Sequence, residues 1–319
     1  MDWTARRVFG RRLAAFFLVA AIGSALRAES GSALAERVSV LPDTRDRAFV
    51  LCWHTFLGKP SLDTDFSLAE LASQVDSLLA LGYRFIGLED LLFGRFSGGK
   101  NLVATIDDGH RTVSDAASKV FAARGIAPAL FIFPAVIGKS DQYLDPARLA
   151  ALRDEGSLIG SHGYYHLYLT ETLFKRERAV FDKEVYASKS KVEELSGFPA
   201  YAFAYPFGTI SEVTKVEVAR AGYAFGLAVK PGFVYADARL NDPYDLPRTV
   251  VTRAAWKETL ALLERNARTA TEASPWSGPG FPASSRTLLG REQALTIAPV
   301  LQPAAAPPLA AFPSTEGMN

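Results

Sequence analysis

Two hydrophobicity patterns alternate along the chain between residues 48 and 268. Short apolar runs rich in β-branched and aromatic residues predict strands, and the longer amphipathic runs that follow them predict helices. The predicted strands are 48–53, 84–88, 102–106, 129–133, 158–161, 200–205, 223–229 and 246–252. The predicted helices are 67–81, 112–124, 146–155, 171–196, 211–221 and 255–268. A glycine, the residue that most readily ends a helix, follows five of them, at positions 82, 125, 156, 197 and 222.

This alternation predicts an α/β fold. Strands that alternate with helices favour a parallel sheet, and eight near-regular units favour a distorted parallel (β/α) barrel of seven or eight strands. An open, doubly wound sheet is the alternative. The first predicted strand is not followed by a glycine-rich dinucleotide-binding motif, which weakens that alternative. Between residues 171 and 194, acidic and basic residues alternate at helical spacing and predict a solvated helix face.

Both ends of the chain differ from this pattern. Residues 1–28 combine a basic start, a short apolar middle and small residues at the end, which predicts a signal peptide. The segment 269–319 is rich in proline and alanine and predicts a flexible tail. The domain between them is predicted to span residues 45–268. The protein is therefore expected to be exported, to the periplasm or the extracellular space, with no stable membrane span after signal cleavage. An uncleaved anchor and twin-arginine export, from Arg6 and Arg7, are the alternatives.

The overall composition narrows the possible functions. The 319 residues carry a formal net charge of +1, so electrostatics give no reason to expect a nucleic acid partner. Cys52 is the one cysteine, so no disulfide can form within the chain.

Chemically reactive side chains stand where the predicted strands end. His54 follows "AFVLCW", Asp107 and Asp108 follow "LVATI", and His162 follows "SLIGS". In a parallel barrel such residues meet at the carboxyl end of the sheet, where active sites form. Gly109 permits a tight turn that would let both carboxylates face the barrel mouth, although Asp-Gly is also a common solvated turn.

The two histidines of "SHGYYH" suggest a metal site. His162 and His166 are four residues apart, so on a helical turn their imidazoles would lie on one face. With one aspartate they would give three protein ligands and leave positions open for water, as in a catalytic site. A pair of surface histidines is the alternative.

Three motifs together, "TIDDG", "SHGYYH" and "FAYPFG", resemble the polysaccharide deacetylase family, also called the NodB-homology family or carbohydrate esterase family 4. The resemblance runs from about residue 48 to residue 253. The early His54, in "LCWHTF", is similar to the branch that removes N-acetyl groups from poly-β-1,6-N-acetylglucosamine. In that branch a histidine after the first strand replaces a histidine found late in other members, and this chain has no histidine after His166.

The resemblance implies a role for each matching position. Asp107 would be the general base, and Asp108, His162 and His166 would bind the metal ion. His54 would protonate the leaving amine. Many members carry an arginine where this chain has Ala204, and Arg248 is the expected substitute that steadies the base. The implied substrate-binding residues are Tyr205, Pro206, Phe207 and His110, and the Phe207 N–H would stabilise the oxyanion.

The resemblance therefore implies an enzyme, a polysaccharide N-deacetylase. The implied cofactor is Zn²⁺, or another divalent transition metal such as Co²⁺, Ni²⁺ or Fe²⁺. The implied partner is an acetylated polysaccharide, expected to be poly-β-1,6-N-acetylglucosamine. Peptidoglycan, chitin or xylan is an alternative substrate. A secreted carbohydrate-binding protein without turnover is an alternative of a different class, and the departure at Ala204 is its main support.

Overall fold

The computed structural model describes residues 45–270. The predicted signal peptide, residues 1–28, lies outside the described residues. The tail predicted over 269–319 also lies outside the described residues from residue 271 on. Thr269, where the tail was predicted to begin, is the last residue of the final helix. Of the helices in the described part of the chain, none is long and apolar enough to cross a bilayer.

Within residues 45–270, nine strands form one mixed sheet. Their bounds are β1 Arg47–Trp53, β2 Arg84–Phe85, β3 Asn101–Asp107, β4 Ala129–Ile132, β5 Ile159–Ser161, β6 Ala202–Ala204, β7 Phe225–Leu227, β8 Val234–Tyr235 and β9 Thr249–Val250. The order across the sheet is β7-β6-β5-β4-β3-β1-β8, and β2 and β9 pair with β3 and β1. All of these pairs are parallel except β1 with β8, which is antiparallel.

Helices connect the strands. Their bounds are α1 Leu68–Ala80, α2 Leu88–Leu92, α3 Val113–Asp115, α4 Pro146–Asp154, α5 Glu171–Arg176, α6 Arg178–Asp182, α7 Ser188–Ser196, α8 Glu212–Arg220 and α9 Trp256–Thr269. A π-helical turn, Ala116–Phe121, and a 3₁₀ turn, Ala122–Arg124, continue α3. Another π-helical turn, Lys183–Ala187, joins α6 to α7.

The sheet curls, so that the segment 246–250 contacts two strands that lie far apart in the strand order, β1 and β7. Thr249 and Val250 of β9 pair with Leu51 and Cys52 of β1. A few residues earlier, Leu246 forms a parallel bridge with Leu227 of β7. This architecture is a curled, mainly parallel sheet with helices, and it confirms the predicted distorted (β/α) barrel.

Two predicted elements differ in detail from the structure, and one strand was not predicted. The strand predicted over 84–88 ends at Phe85, because Leu88 begins α2. The strand β8 was not predicted, since two residues are too short to show a period. The helix predicted over 171–196 breaks at Glu177, whose backbone is not helical, and widens into a π turn after Asp182. Neither proline nor glycine marks that break in the sequence.

The core has two parts because strand side chains alternate between the two faces of the sheet. Phe49, Leu51 and Trp53 of β1 pack in the larger cluster with residues of α1 such as Leu71. Ala48 and Val50 pack in a second cluster with residues of other strands such as Phe131 and Leu227. Residues two apart in a strand share a face, so His54 lies on the same face as Ala48 and Val50, and Asp107 on the same face as Val103.

Candidate active site

The reactive side chains predicted at the strand ends meet at the carboxyl edge of the sheet. His54 directly follows β1, Asp107 is the last residue of β3, and His162 directly follows β5. Since β1, β3, β4 and β5 run parallel, these residues share one edge. The arrangement matches the position of active sites in parallel barrels.

Asp107 is buried and forms a two-pronged ion pair with Arg248. Arg248 Nη1 donates to Asp107 Oδ1 at 2.8 Å, and Nη2 donates to Oδ2 at 2.9 Å. Arg248 is itself only 1 % exposed, and it directly precedes β9. Burial alone raises the pKa of the Asp107 carboxyl, but the Arg248 charge, with a smaller effect of His162, holds that pKa well below its usual range. Asp107 is therefore kept ionised.

Asp108 faces the same space as Asp107 because its backbone is left-handed, with φ 71°. The sequence pattern assigned the turn to Gly109, whereas the turn already begins at Asp108. In an extended strand the two neighbouring side chains would point to opposite faces. The Oδ1 atom of Asp108 is buried and has no hydrogen-bond partner within residues 45–270.

The two histidines converge on Asp108, but they do so from a loop. Residues 162–170 contain no helix, so the expected helical turn is wrong. A left-handed backbone at Gly163, with φ 77°, and at His166, with φ 64°, instead folds the segment back. The His162 Nδ1–H donates to the Ala204 carbonyl at 2.7 Å, which leaves the Nε2 lone pair facing the site. Burial, with a smaller effect of His162, lowers the pKa of His166 and favours its neutral form.

These three side chains fit a divalent metal ion. The Nε2 atoms of His162 and His166 are 3.2 Å apart, and they lie 3.8 Å and 3.6 Å from Asp108 Oδ1. Zinc ligands at about 2.0–2.1 Å in a tetrahedron are spaced about 3.3–3.4 Å apart, close to these values. A bound cation would also satisfy the buried Asp108 oxygen, and it would replace the close contact between the two imidazole nitrogens.

His54 lies on the other side of Asp107. Single potential ligand atoms of Cys52, His54 and Asp107 lie within 4.8 Å of one another. The His54 Nδ1 atom is buried and has no hydrogen-bond partner among the described residues. Burial raises the pKa of the Cys52 thiol well above its usual value, so Cys52 stays protonated at neutral pH. His54 thus contributes the ring nitrogen of this trio, with Nδ1 unpartnered among the described residues.

Of the implied substrate-binding residues, Phe207 is the most accessible. Its side chain is 51 % exposed, its backbone is left-handed with φ 58°, and its ring stacks on Tyr168 at 3.8 Å. Pro206 is buried. Half-buried His110 contacts Thr112 Oγ1 through Nδ1 at 2.9 Å.

Tyr205 is not in a groove. It is fully buried, and its hydroxyl donates to the Tyr244 carbonyl at 2.8 Å. The strand β6 ends just before Tyr205, and the Tyr205 ring packs into the core against Phe203, so a contact of Tyr205 with substrate stays a prediction that the burial of its side chain does not support.

The sequence pattern missed two residues at this site. Tyr168 stacks on Phe207, and only its position after the histidine motif could have indicated it. Glu184 was included in the predicted solvated helix face, but it is fully buried and contacts the histidine loop. A charge within a helical pattern gives no signal that distinguishes such a residue from its exposed neighbours.

Known proteins with a similar sequence pattern or fold are polysaccharide deacetylases or related structures. A family model described as polysaccharide deacetylase matches residues 96–226. The structure of IcaB from Ammonifex degensii is similar with a TM-score of 0.60 and 26% identity, over 69% of this chain and 98% of that chain. No curated protein sequence matches the chain.

Two further solved structures share the fold. BC0361, a polysaccharide deacetylase from Bacillus cereus, has a TM-score of 0.54 and 21% identity, over 69% of each chain. The deacetylase domain of BpsB from Bordetella bronchiseptica has a TM-score of 0.51 and 18% identity, over 66% of this chain and 98% of that one. The match over residues 96–226 and the similar IcaB structure therefore support a deacetylase enzyme of the polysaccharide deacetylase type.

Proposed function

We propose that the protein is a metal-dependent hydrolase that removes N-acetyl groups from an exported polysaccharide, with poly-β-1,6-N-acetylglucosamine as the substrate. The observation that carries this proposal is the juxtaposition of two units. Asp108, His162 and His166 form a three-ligand group, and beside it Arg248 holds Asp107 ionised.

The metal ligands in this proposal are Asp108, His162 and His166. A divalent ion bound there would lower the pKa of water and polarise the acetyl carbonyl. Zn²⁺ suits one carboxylate and two imidazoles, and Co²⁺, Ni²⁺ and Fe²⁺ suit the same set. His162 is oriented for this role by the Ala204 carbonyl, which accepts its Nδ1–H.

Asp107 is the general base. The two hydrogen bonds from Arg248 keep its carboxylate ionised and fix its orientation. It accepts a proton from the water molecule that attacks the acetyl carbon. Because Arg248 stands beside Asp107, the alanine at position 204 does not leave the base without a cation. The non-catalytic binding protein therefore loses its main support.

His54 and Phe207 complete the chemistry. The Phe207 N–H donates to no backbone carbonyl among the described residues, so it is available to the oxyanion that forms at the acetyl carbonyl. His54, beside Asp107, donates a proton to the departing nitrogen. Acetate and a free amine on the sugar are the products.

The sequence and one similar structure support the proposed substrate. His54 after the first strand resembles the branch that acts on poly-β-1,6-N-acetylglucosamine, and the IcaB structure is similar over 69% of the chain. We propose that residues 1–28 direct export, that residues 45–268 form the catalytic domain and that 269–319 form a tail. Export would place the enzyme in the periplasm or outside the cell, where such a polymer is found.

Acetate release from a panel of acetylated oligosaccharides tests the proposal. The panel contains β-1,6-linked and β-1,4-linked N-acetylglucosamine oligomers, peptidoglycan fragments and acetylated xylan. We expect release from the β-1,6-linked oligomers, loss of release after chelation, and recovery on adding Zn²⁺ or Co²⁺. Preference for another polymer would correct the substrate, and metal-independent release would overturn the mechanism.

Asp107 and Asp108 provide a matched pair of variants for the same assay. Asp107→Asn should still bind metal but lose turnover by about 10²–10⁴-fold, the usual contribution of a general base. Asp108→Asn should lose metal first and turnover as a consequence. If both variants bind metal as the wild type does, the assignment of the ligand is wrong.

A further inference from the structure

Glu184 is a buried carboxylate held by main-chain donors. It lies at the start of the π-helical turn between α6 and α7 and is fully buried. Its Oε1 atom accepts from the Tyr165 N–H at 2.8 Å, and its Oε2 atom accepts from the N–H groups of Tyr164 at 3.0 Å and Leu167 at 3.3 Å.

Ion pairing does not explain this charge. Within residues 45–270, Glu184 forms no salt bridge with a lysine, arginine or histidine. The contrast is Glu217, an equally buried glutamate that pairs with Arg178 and Arg220. A buried carboxylate without a cation is costly unless several hydrogen bonds satisfy it. The N–H groups of the histidine loop therefore supply what a cation would otherwise supply.

The loop is shaped to provide these donors. Gly163, with φ 77°, and His166, with φ 64°, are both left-handed, and between them the N–H groups turn towards one point. A Cβ atom at Gly163 would lie 2.5 Å from Glu184 Oε2, so only glycine fits there. His166 has a Cβ atom and is strained in this region, and such strain persists only where surrounding contacts hold it.

The position of His166 depends on its backbone more than the position of His162 does. The His162 ring is fixed by its hydrogen bond to Ala204. Among the described residues, the His166 ring has a hydrogen-bond contact with His162 alone. Its other ring contacts are with Phe133, at a centroid distance of 5.3 Å, and Phe207, at 4.4 Å. The backbone that Glu184 holds thus sets where His166 Nε2 points.

We propose that Glu184 is a positioning residue of the metal site. By binding the N–H groups of Tyr164, Tyr165 and Leu167, on both sides of His166, it holds His166 where its Nε2 atom completes the ligand group with His162 and Asp108. This proposal rests on the proposed metal dependence. Glu184 touches neither the metal nor the substrate, and acts through the main chain of the loop.

Metal affinity of the full-length chain tests the proposal. Zn²⁺ binding to metal-depleted protein is measured for the wild type, Glu184→Gln and Gly163→Ala, together with thermal unfolding of the metal-free proteins and the visible spectrum of the Co²⁺ forms. Glu184→Gln loses half of the carboxylate acceptor set, and Gly163→Ala displaces the carboxylate from the loop. Both should weaken Zn²⁺ binding about 10–100-fold, the usual effect of losing an outer-sphere contact, and change the Co²⁺ spectrum.

Glu217→Gln is the matched control. It removes the charge of an equally buried glutamate that contacts Arg178, Arg220 and Tyr186 rather than the loop. It should lower the unfolding temperature without changing Zn²⁺ affinity. Wild-type Zn²⁺ affinity in both Glu184→Gln and Gly163→Ala would overturn the positioning role while leaving the proposed function intact. Absence of Zn²⁺ binding by the wild type would overturn both.

Discussion

At the scale of single residues, the site is built on unusual backbone conformations. Asp108, His166 and Phe207 are the non-glycine residues with positive φ within residues 45–270. Each left-handed residue of this kind costs about 1–2 kcal/mol relative to ordinary backbone. All three lie around the proposed metal and oxyanion positions, so the fold holds the reactive groups in place before substrate binds.

Arg248 provides the first prediction at this scale. Arg248→Lys keeps a charge beside Asp107 but cannot make both hydrogen bonds of the planar guanidinium. We expect kcat to fall by about 100-fold, because a misplaced catalytic group commonly costs that much. Acetate release under saturating substrate measures the effect, and Zn²⁺ affinity serves as the internal control because it should not change.

Arg248→Met extends this test to stability. It leaves Asp107 buried without a partner, which should cost about 3–5 kcal/mol in the free energy of unfolding. Urea denaturation of the metal-free proteins measures this loss. Wild-type turnover in Arg248→Lys, or wild-type stability in Arg248→Met, would contradict the importance of the ion pair.

How far the sequence predicts this site depends on the kind of information needed. The positions of His54, Asp107, Asp108 and His162 at strand ends follow from a local pattern and the parallel topology. The left-handed turn at Asp108 and the loop around His166 do not, because they depend on contacts with distant residues. Glu184 is the extreme case, since its burial is decided by the packing of its helix against the histidine loop.

At the scale of elements, the start of α1 shows how local and distant contacts combine. Ser67 caps the helix by accepting from the Glu70 N–H at 3.2 Å, and Glu70 accepts from the Ser67 N–H at 2.7 Å. Arg253, which precedes α9, donates to both oxygens of Glu70 at 2.5 and 2.9 Å. The amphipathic pattern predicted a helix over 67–81, but the arginine that joins its start to α9 is far away in the chain.

Glu70 gives a prediction about pH. The hydrogen bonds from Arg253, and then from Ser67, lower the pKa of Glu70 from 4.5 to about 2. A lowered pKa in the folded state means that the stabilisation is complete above pH 4.5 and is lost as the pH falls towards 2. Glu70→Gln should therefore reduce stability at pH 7, by less than about 1 kcal/mol because the pair is partly exposed. The difference from the wild type should disappear near pH 2.

Urea denaturation at a series of pH values measures the Glu70 effect. Arg253→Met supplies the control, because it removes the other partner of the same pair. The double variant should lose less stability at pH 7 than the two single variants lose together, because both changes break the same ion pair. A difference between wild type and Glu70→Gln that stays constant from pH 7 to pH 2 would contradict this account.

At the scale of the whole molecule, two segments late in the chain complete the fold. The segment that contains Leu246 and β9 contacts both β7 and β1, and it places Arg248 beneath Asp107. The helix α9 follows and buries Leu263 and Asn266. The alternating pattern predicted both segments, and the family resemblance implied that Arg248 steadies Asp107. The curled sheet shows how the two distant residues meet.

Asn266 of α9 joins the end of the domain to its beginning. Its Oδ1 atom accepts from Arg47 Nε at 3.1 Å and Nη2 at 2.6 Å, at the start of β1. Its Nδ2 atom donates to Tyr83 Oη at 2.7 Å and to the Gly99 carbonyl at 2.9 Å. One buried amide thus satisfies groups from three separate parts of the chain.

Asn266→Ala should therefore destabilise the domain without altering its chemistry. The truncation leaves buried polar groups of Arg47 and Tyr83 with fewer partners, and we expect a loss of about 2–3 kcal/mol in the free energy of unfolding. Zn²⁺ affinity and turnover should stay at wild-type values, because these contacts lie at the start of β1, whereas His54 and Asp107 lie at the opposite end of the sheet. Arg265→Ala, at an exposed neighbouring position of the same helix, is the control and should change stability by less than about 0.5 kcal/mol. Equal stability of the two variants in urea would show that α9 is held by its apolar face alone. Loss of turnover in folded Asn266→Ala would show instead that the two ends of the sheet are coupled.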